Sequence, residues 1–114
     1  DAPGAVAWLE RGFGFEKIVV IPGENGSIEH AELRLGPGVV MLSSSKPSDA
    51  AVLGSARQAV CVALDDPDRH YATAVAAGAV IVRPIETTHY GARTYSARDV
   101  EGYVWTFGTY RPQL

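Results

Sequence analysis

One cysteine, Cys61, is all that this 114-residue chain carries. No internal disulfide can form, and Cys61, set between Val60 and Val62, reads as a small buried hydrophobe. A chain that depends on no disulfide suits a reducing cytoplasm, which is the expected location. Apolar runs are short: none approaches the roughly 20 residues that cross a bilayer. The opening Asp1-Ala2-Pro3 lacks the basic and apolar stretches of a secretory leader. No membrane partner is expected. Basic residues are few as well. Ten Lys and Arg stand against thirteen Asp and Glu, for a net charge of −3. They are scattered, so nucleic-acid phosphates would meet no basic patch. No Ser sits in a Gly-x-Ser-x-Gly elbow, and Cys61 has no basic neighbour in sequence to activate it. No glycine-rich loop follows a strand and opens a helix, since Gly12-Phe13-Gly14 closes one. The carboxylates Asp65-Asp66 and Asp99 with Glu101 are accounted for as a helix cap and a turn. What remains is ordinary globular composition, 46% hydrophobic and 20% charged, fit for one domain or two small halves sharing a core.

What is present is a repeat. Pro3 and Pro67, Gly14 and Gly78, and Gly38 and Gly102 each stand 64 residues apart (67 − 3, 78 − 14, 102 − 38), and Arg34 and Arg98 share that offset. A fixed internal period marks duplicated supersecondary units, and these coincidences fall on the residues that punctuate structure. In the first half, Asp1 caps a helix with Pro3 in its first turn, and Ala5, Trp8, Leu9, Gly12 and Phe13 recur at helical spacing. Strands follow at Lys17–Ile21, Ser27–Leu35 and Val39–Ser43. Alternation over the second of them puts Ile28, His30, Glu32 and Arg34 on one face. Residues 44–57 are polar and read as a linker. The second half predicts a strand at Ala59–Leu64, a helix capped by Asp66, a strand at Val80–Val82 stopped by Pro84, a strand at Arg93–Arg98, a turn Asp99–Gly102 with Gly102 at positive φ, and a last strand Tyr103–Tyr110. Residues 58–114 thus spell βαβββ. Residues 1–43 spell αβββ, and the opening strand of that module is not in this sequence. The expected fold class is α+β, a single domain of tandem βαβββ modules forming an open half-barrel crevice.

This arrangement, with Tyr90-Gly91-Ala92-Arg93 followed by Arg98-Asp99-Val100-Glu101-Gly102 and an apolar strand, resembles the vicinal oxygen chelate superfamily: glyoxalases, bleomycin-resistance proteins and extradiol dioxygenases. It is most similar to the bleomycin-resistance type. The resemblance covers essentially the whole chain; Val100 departs from it, standing where such sequences usually carry Pro. It implies a crevice in which the metal-dependent members hold a divalent ion with His, Glu or Gln from the first and last strands of each module. Carried over, those positions fall on Thr106, on Met41 or Leu42, and on Ala59 or Val60, all poor donors. No metal and no cofactor are therefore expected. A weaker alternative places displaced ligands at His30 and Glu32, two residues apart on one strand face; that pair also reads as a hydrogen-bonded or solvated face with Arg34 beside Glu32.

With Thr106 facing the crevice, Val104 and Gly108 face it too, and Tyr103, Trp105 and Phe107 face the helix. Ala59, Cys61 and Ala63 leave room, Met41 or Leu42 adds an adaptable wall, and Arg93 and Tyr95 edge the opening. His89 and Tyr90 sit on a covering loop. Arg93 would pair with an anionic group of a ligand, or with Glu101 or Glu86. His70 reads as a surface residue. The expected function is metal-independent binding of a small organic molecule, such as antibiotic sequestration and resistance. The alternative is a metal-dependent lyase, isomerase or dioxygenase of the glyoxalase type. By resemblance the chain is also expected to form a homodimer.

Overall fold

The computed structural model describes residues 1–54 and 56–113. Ser55, within the stretch expected as a linker, and Leu114 lie outside the described residues. The chain divides into two compact units, Asp1–Lys46 with the residues from Pro112 onward, and Pro47–Arg111. No helix among the described residues is long and apolar enough to cross a membrane.

In the first unit α1 spans Ala2–Phe13. Asp1 caps it, accepting from the Gly4 N–H at 3.0 Å, and Gly14 ends it at φ 74°, a conformation that glycine adopts without a Cβ penalty. Its buried stripe is Ala2 and Val6, with Leu9 partly covered. That i, i+4, i+7 spacing is one face of a helix. Trp8 and Phe13, expected to belong to this stripe, do not. Trp8 lies over Gly12, where an added Cβ would come within 3.0 Å of its ring. It meets Phe13 edge to face at 4.6 Å, and both remain exposed. The helix packs on a meander of β1 (Glu16–Pro22), β2 (Ile28–Leu35) and β3 (Gly38–Leu42). Strict alternation fails at the start of β2. Ile21 pairs with His30 and Pro22 with Ile28, so Glu29 is skipped. The irregularity turns Ile28 into the core beside Ala31 and Leu33, away from the face it was expected to share with His30.

The second unit holds α2 (Asp49–Leu53), β4 (Val60–Ala63), α3 (Pro67–Ala76), β5 (Val80–Thr87), β6 (Arg93–Arg98) and β7 (Val104–Gly108). The short α2 occupies part of the stretch expected as linker. The sheet order is β4-β7-β6-β5, with β4 parallel to β7 and the other pairs antiparallel. From β4 onward this is a βαβββ module. Asp66 caps α3 by accepting from the Arg69 N–H at 3.1 Å. β5 runs through Pro84 rather than stopping at it. The strand lies at the sheet edge and its pairing is irregular on either side of Arg83, so the missing Pro84 N–H is tolerated. Between β6 and β7, Asp99 Oδ1 accepts from the Glu101 and Tyr103 N–H groups at 2.8 and 3.0 Å, and Gly102 has φ 87°. This turn fixes the β6–β7 register that builds the site. The class is α+β: two open sheets with helices, neither closed into a barrel.

Candidate functional site

The β6–β7 register places Ser96 opposite Thr106, Tyr95 opposite Phe107 and Thr94 opposite Gly108. The parallel pairing adds Cys61 opposite Thr106 and Ala63 opposite Gly108. Cross-strand partners share a face and strand neighbours alternate. Tyr95 and Phe107 meet His70 of α3, so theirs is the helix-covered face. The face turned away from α3 therefore carries Thr94, Ser96, Arg98, Val104, Thr106, Gly108, Cys61 and Ala63.

Apart from Arg98, that face is small, neutral and hydroxyl-bearing. Ser96 Oγ and Thr106 Oγ1 lie 2.7 Å apart, with either able to donate, and Ser96 is fully buried. Thr94 Oγ1 donates to the Phe107 carbonyl at 3.0 Å, and Val104 is buried. Arg98 donates to the Val52 carbonyl of α2 at 3.2 Å. Cys61 is exposed, on edge strand β4, which corrects the expectation that it is buried. Its surroundings still desolvate the sulfur and push the thiol up from its ordinary value, so at neutral pH it is a neutral thiol rather than a nucleophile.

Of the candidates read from the sequence, Val104, Thr106 and Cys61 come together on this face. Ala59 immediately precedes β4 and is exposed. Met41 lies on β3 of the first unit, opposite Glu32 and 39% exposed. His89 and Tyr90 are exposed between β5 and β6, their rings 5.1 Å apart and perpendicular.

Arg93 and Tyr95 are placed otherwise than expected. Both point to the α3 side, because their parity on β6 is that of the residue facing Phe107. Arg93 forms an ion pair with Asp68 of α3 at 2.9 Å and donates to Thr87 at 3.2 Å. Neither Glu101 nor Glu86 is its partner in those contacts. The Arg93 guanidinium holds the Asp68 carboxyl below the usual carboxylate range. Tyr95 is the largest fully buried side chain, and its hydroxyl meets His70 Nδ1 at 2.6 Å. Burial, with the Tyr71 phenol adding to it, pushes the Tyr95 phenol up. His70 is thus half-buried and bonded, not a free surface side chain. Sequence reading took His70 for a surface residue and passed over Ser96. Ser96 was recoverable, since counting outward from the Asp99–Gly102 turn sets it against Thr106.

The residues do not fit a divalent metal. Thr106 gives its hydroxyl to Ser96, Cys61 is a protonated thiol, and neither is a strong donor to a hard or borderline ion. Glu32 is buried, and its Oε2 lies 2.7 Å from His30 Nε2. Arg34 pairs with Glu16 instead, at 3.1 Å. His30 and Glu32 make two candidate donors. Among the described residues no three His, Cys, Asp or Glu gather where they could hold an ion.

Comparison with known proteins shows the family. A TioX structure from Micromonospora sp. ML1 is 35% identical, covering 100% of this chain and 91% of that one, with a TM-score of 0.45. A glyoxalase/bleomycin resistance protein/dioxygenase superfamily member from Vibrio splendidus 12B01 has a TM-score of 0.75 at 22% identity, covering 95% of this chain and 89% of that one. The uncharacterized protein Rv0887c of Mycobacterium tuberculosis is 27% identical over 115 aligned residues, 95% of this chain and 68% of that protein. The family model described as Glyoxalase/Bleomycin resistance protein/Dioxygenase superfamily matches residues 1–107, and the chain belongs to that superfamily.

Proposed function

We propose that this protein binds a small organic molecule without a metal, on the face of the second sheet away from α3, and acts by sequestration, for instance of an antibiotic, rather than by catalysis. One observation carries the reading: the Ser96–Thr106 hydroxyl pair, 2.7 Å apart, occupies that face beside Cys61 and Ala63. Ser96 is fully buried, so a ligand would meet the pair through half-buried Thr106, with exposed Cys61 and Ala63 beside it; hydroxyls can donate to or accept from a ligand, and small side chains favour its close approach. Sequestration requires affinity and stoichiometry but no acid, base or nucleophile. The His30–Glu32 contact favours the alternative, a metal-dependent lyase, isomerase or dioxygenase with displaced ligands. Two donors fall short of the three or four that such ions require.

We further propose a cytoplasmic homodimer. Val19, Val20 and Ile21 on edge strand β1 are 37, 42 and 47% exposed, and an apolar open edge of this kind is a natural pairing surface. Gel filtration giving a monomer would refute the dimer.

The functional test is a thermal-shift screen of antibiotics and metabolites, with and without added Zn, Ni, Mn or Fe. Binding to the native state raises Tm by mass action. The expected hit shifts Tm equally with and without metal, and Thr106→Trp abolishes it. A shift that needs metal, or one that survives Thr106→Trp, overturns the proposal.

A further inference from the structure

The other face of the second sheet carries a groove that the proposed function does not use. It lies between α3 and strands β6 and β7, has a volume of about 320 Å³, and is lined by His70, Ala74, Ala79, Ala97, Trp105 and Phe107 among others. That volume is at the small end of the roughly 300–1,000 Å³ typical of ligand sites. Three features define what fits. The Trp105 and Phe107 rings are nearly parallel, 4° between their planes with centroids at 6.3 Å, and form an aromatic wall. Three alanines leave the space beside that wall open. The charged residues at its rim are engaged within the protein: Asp99 Oδ2 accepts from Trp105 Nε1 at 2.9 Å, and Arg98 donates to Val52.

The remaining polar group is His70, and its tautomer can be deduced. Tyr95 is fully buried, and its hydroxyl has one polar partner among the described residues, His70 Nδ1. A buried O–H without an acceptor is costly, so the phenol donates and Nδ1 accepts. The proton of the neutral imidazole then sits on Nε2, which has no partner among the described residues. The groove thus offers one aromatic wall and one N–H donor, with the charges at its rim engaged elsewhere.

We propose that this groove is a second binding site, for a neutral two-ring aromatic molecule with one hydrogen-bond acceptor, packed against Trp105 and the alanines and bonded to His70 Nε2–H. It goes beyond the function proposed above and does not depend on it. A charged ligand gains little, because Asp99 and Arg98 at the rim are both engaged within the protein, and an aliphatic one forgoes the ring contacts that the aromatic lining offers.

The test uses 2-naphthamide, which carries a carbonyl acceptor, and naphthalene, which carries none, each titrated into the full chain and followed by amide and imidazole NMR shifts. The expected result is saturable 2-naphthamide binding with shifts at His70, Ala74, Ala79, Ala97 and Trp105. Its affinity should exceed that of naphthalene by about fivefold, the value of one net hydrogen bond. His70→Phe should erase that difference while naphthalene still binds, which shows that the groove survives. Ala74→Leu, which fills the groove, should weaken both ligands about tenfold or more. Absence of saturable binding overturns the proposal, as does an advantage for 2-naphthamide that persists in His70→Phe. Shifts confined to Cys61, Ser96 and Thr106 would also overturn it, while supporting a ligand on the opposite face. Failure of the antibiotic and metabolite screen leaves the groove unaffected.

Discussion

Replacing Tyr95 separates the two contributions that hold α3 on its sheet. Tyr95 is fully buried, sits 5.3 Å from Phe107 in a stacked arrangement, meets Tyr71 edge to face at 5.0 Å, and reaches His70 at 2.6 Å. Tyr95→Phe keeps the ring and removes the hydroxyl. The net value of such a bond is about 1 kcal/mol, and His70 Nδ1 is left without its donor. For a domain of this size the loss lowers Tm by about 4 °C. Tyr95→Ala removes the ring as well, at a cost of about 4 kcal/mol. That is a large share of the roughly 5–15 kcal/mol that small domains possess, so this variant should be largely unfolded at modest urea. The assay is urea denaturation followed by tryptophan fluorescence, with a double-mutant cycle against His70→Phe. Contacting residues should give a coupling energy of about 0.5–1 kcal/mol. The raised Tyr95 phenol adds a pH signature. Its proton stays on in the folded state after the unfolded chain has lost it, so stability is intact below the ordinary value of 10.0 and falls as pH rises through the folded value. Tyr95→Phe should flatten that alkaline decline. A Tyr95→Phe variant within about 0.3 kcal/mol of the parent, with an additive cycle and an unchanged alkaline limb, would refute the hydrogen bond and the tautomer deduced from it.

Other expectations follow from the same geometry. The Trp105 N–H, followed by the backbone N–H groups of the turn, holds the Asp99 carboxyl below its ordinary 3.8. Its stabilising contribution is therefore complete above that value and is lost as pH falls through the lower folded value; acid titrations should show a steeper loss in the parent than in Asp99→Asn, and parallel curves would contradict this. Leu33, fully buried in the first unit, should cost about 3 kcal/mol as Leu33→Ala, measured by chemical denaturation, and a loss under 1 kcal/mol would mean that the core collapses around the gap. Gly102 at φ 87° meets nothing where a Cβ would stand, so Gly102→Ala should cost only the backbone strain, about 1 kcal/mol, with the β6–β7 pairing retained by NMR.

The sequence made the module legible because its punctuation is local. Asp66 before Pro67, and Asp99 four residues before Tyr103, each act through hydrogen bonds within a few residues, so residue type and spacing suffice. Side-chain orientation was readable only where a register could be anchored. The Asp99–Gly102 turn anchors β6 against β7, and from it the assignment of Thr106, Val104 and Phe107 to their faces is correct. Where a distant partner decides, the sequence is silent. Pro84 stops a central strand but not an edge one, and sheet order is a long-range property. Trp8 could have joined the core stripe, yet it covers Gly12 and Phe13 instead. Cys61 lies in an apolar run, yet its strand is the sheet edge.

The placement of Arg93 and Tyr95 exposes a different weakness, one of parity rather than distance. Strand faces alternate with period two, so an error of one position moves a whole set of residues through the sheet. Arg93 and Tyr95 were grouped correctly with one another but assigned to the wrong side. The turn that placed Thr106 also placed Ser96 against it, and that pairing alone puts Tyr95 with Phe107 under the helix. The two faces then differ in chemistry for a physical reason. The side covered by α3 must satisfy a buried phenol, and does so with His70, leaving one directed N–H. The side away from α3 carries hydroxyls that satisfy each other and can exchange that bond for one to a ligand. A ligand for that face must therefore compete with the 2.7 Å Ser96–Thr106 contact, whereas a ligand for the groove engages an N–H that is already oriented. Ser96→Ala distinguishes the two: removing the competing hydroxyl should alter affinity on the face away from α3 and leave 2-naphthamide binding on the other unchanged. If both affinities move together, the faces are not independent and the assignment of two sites fails.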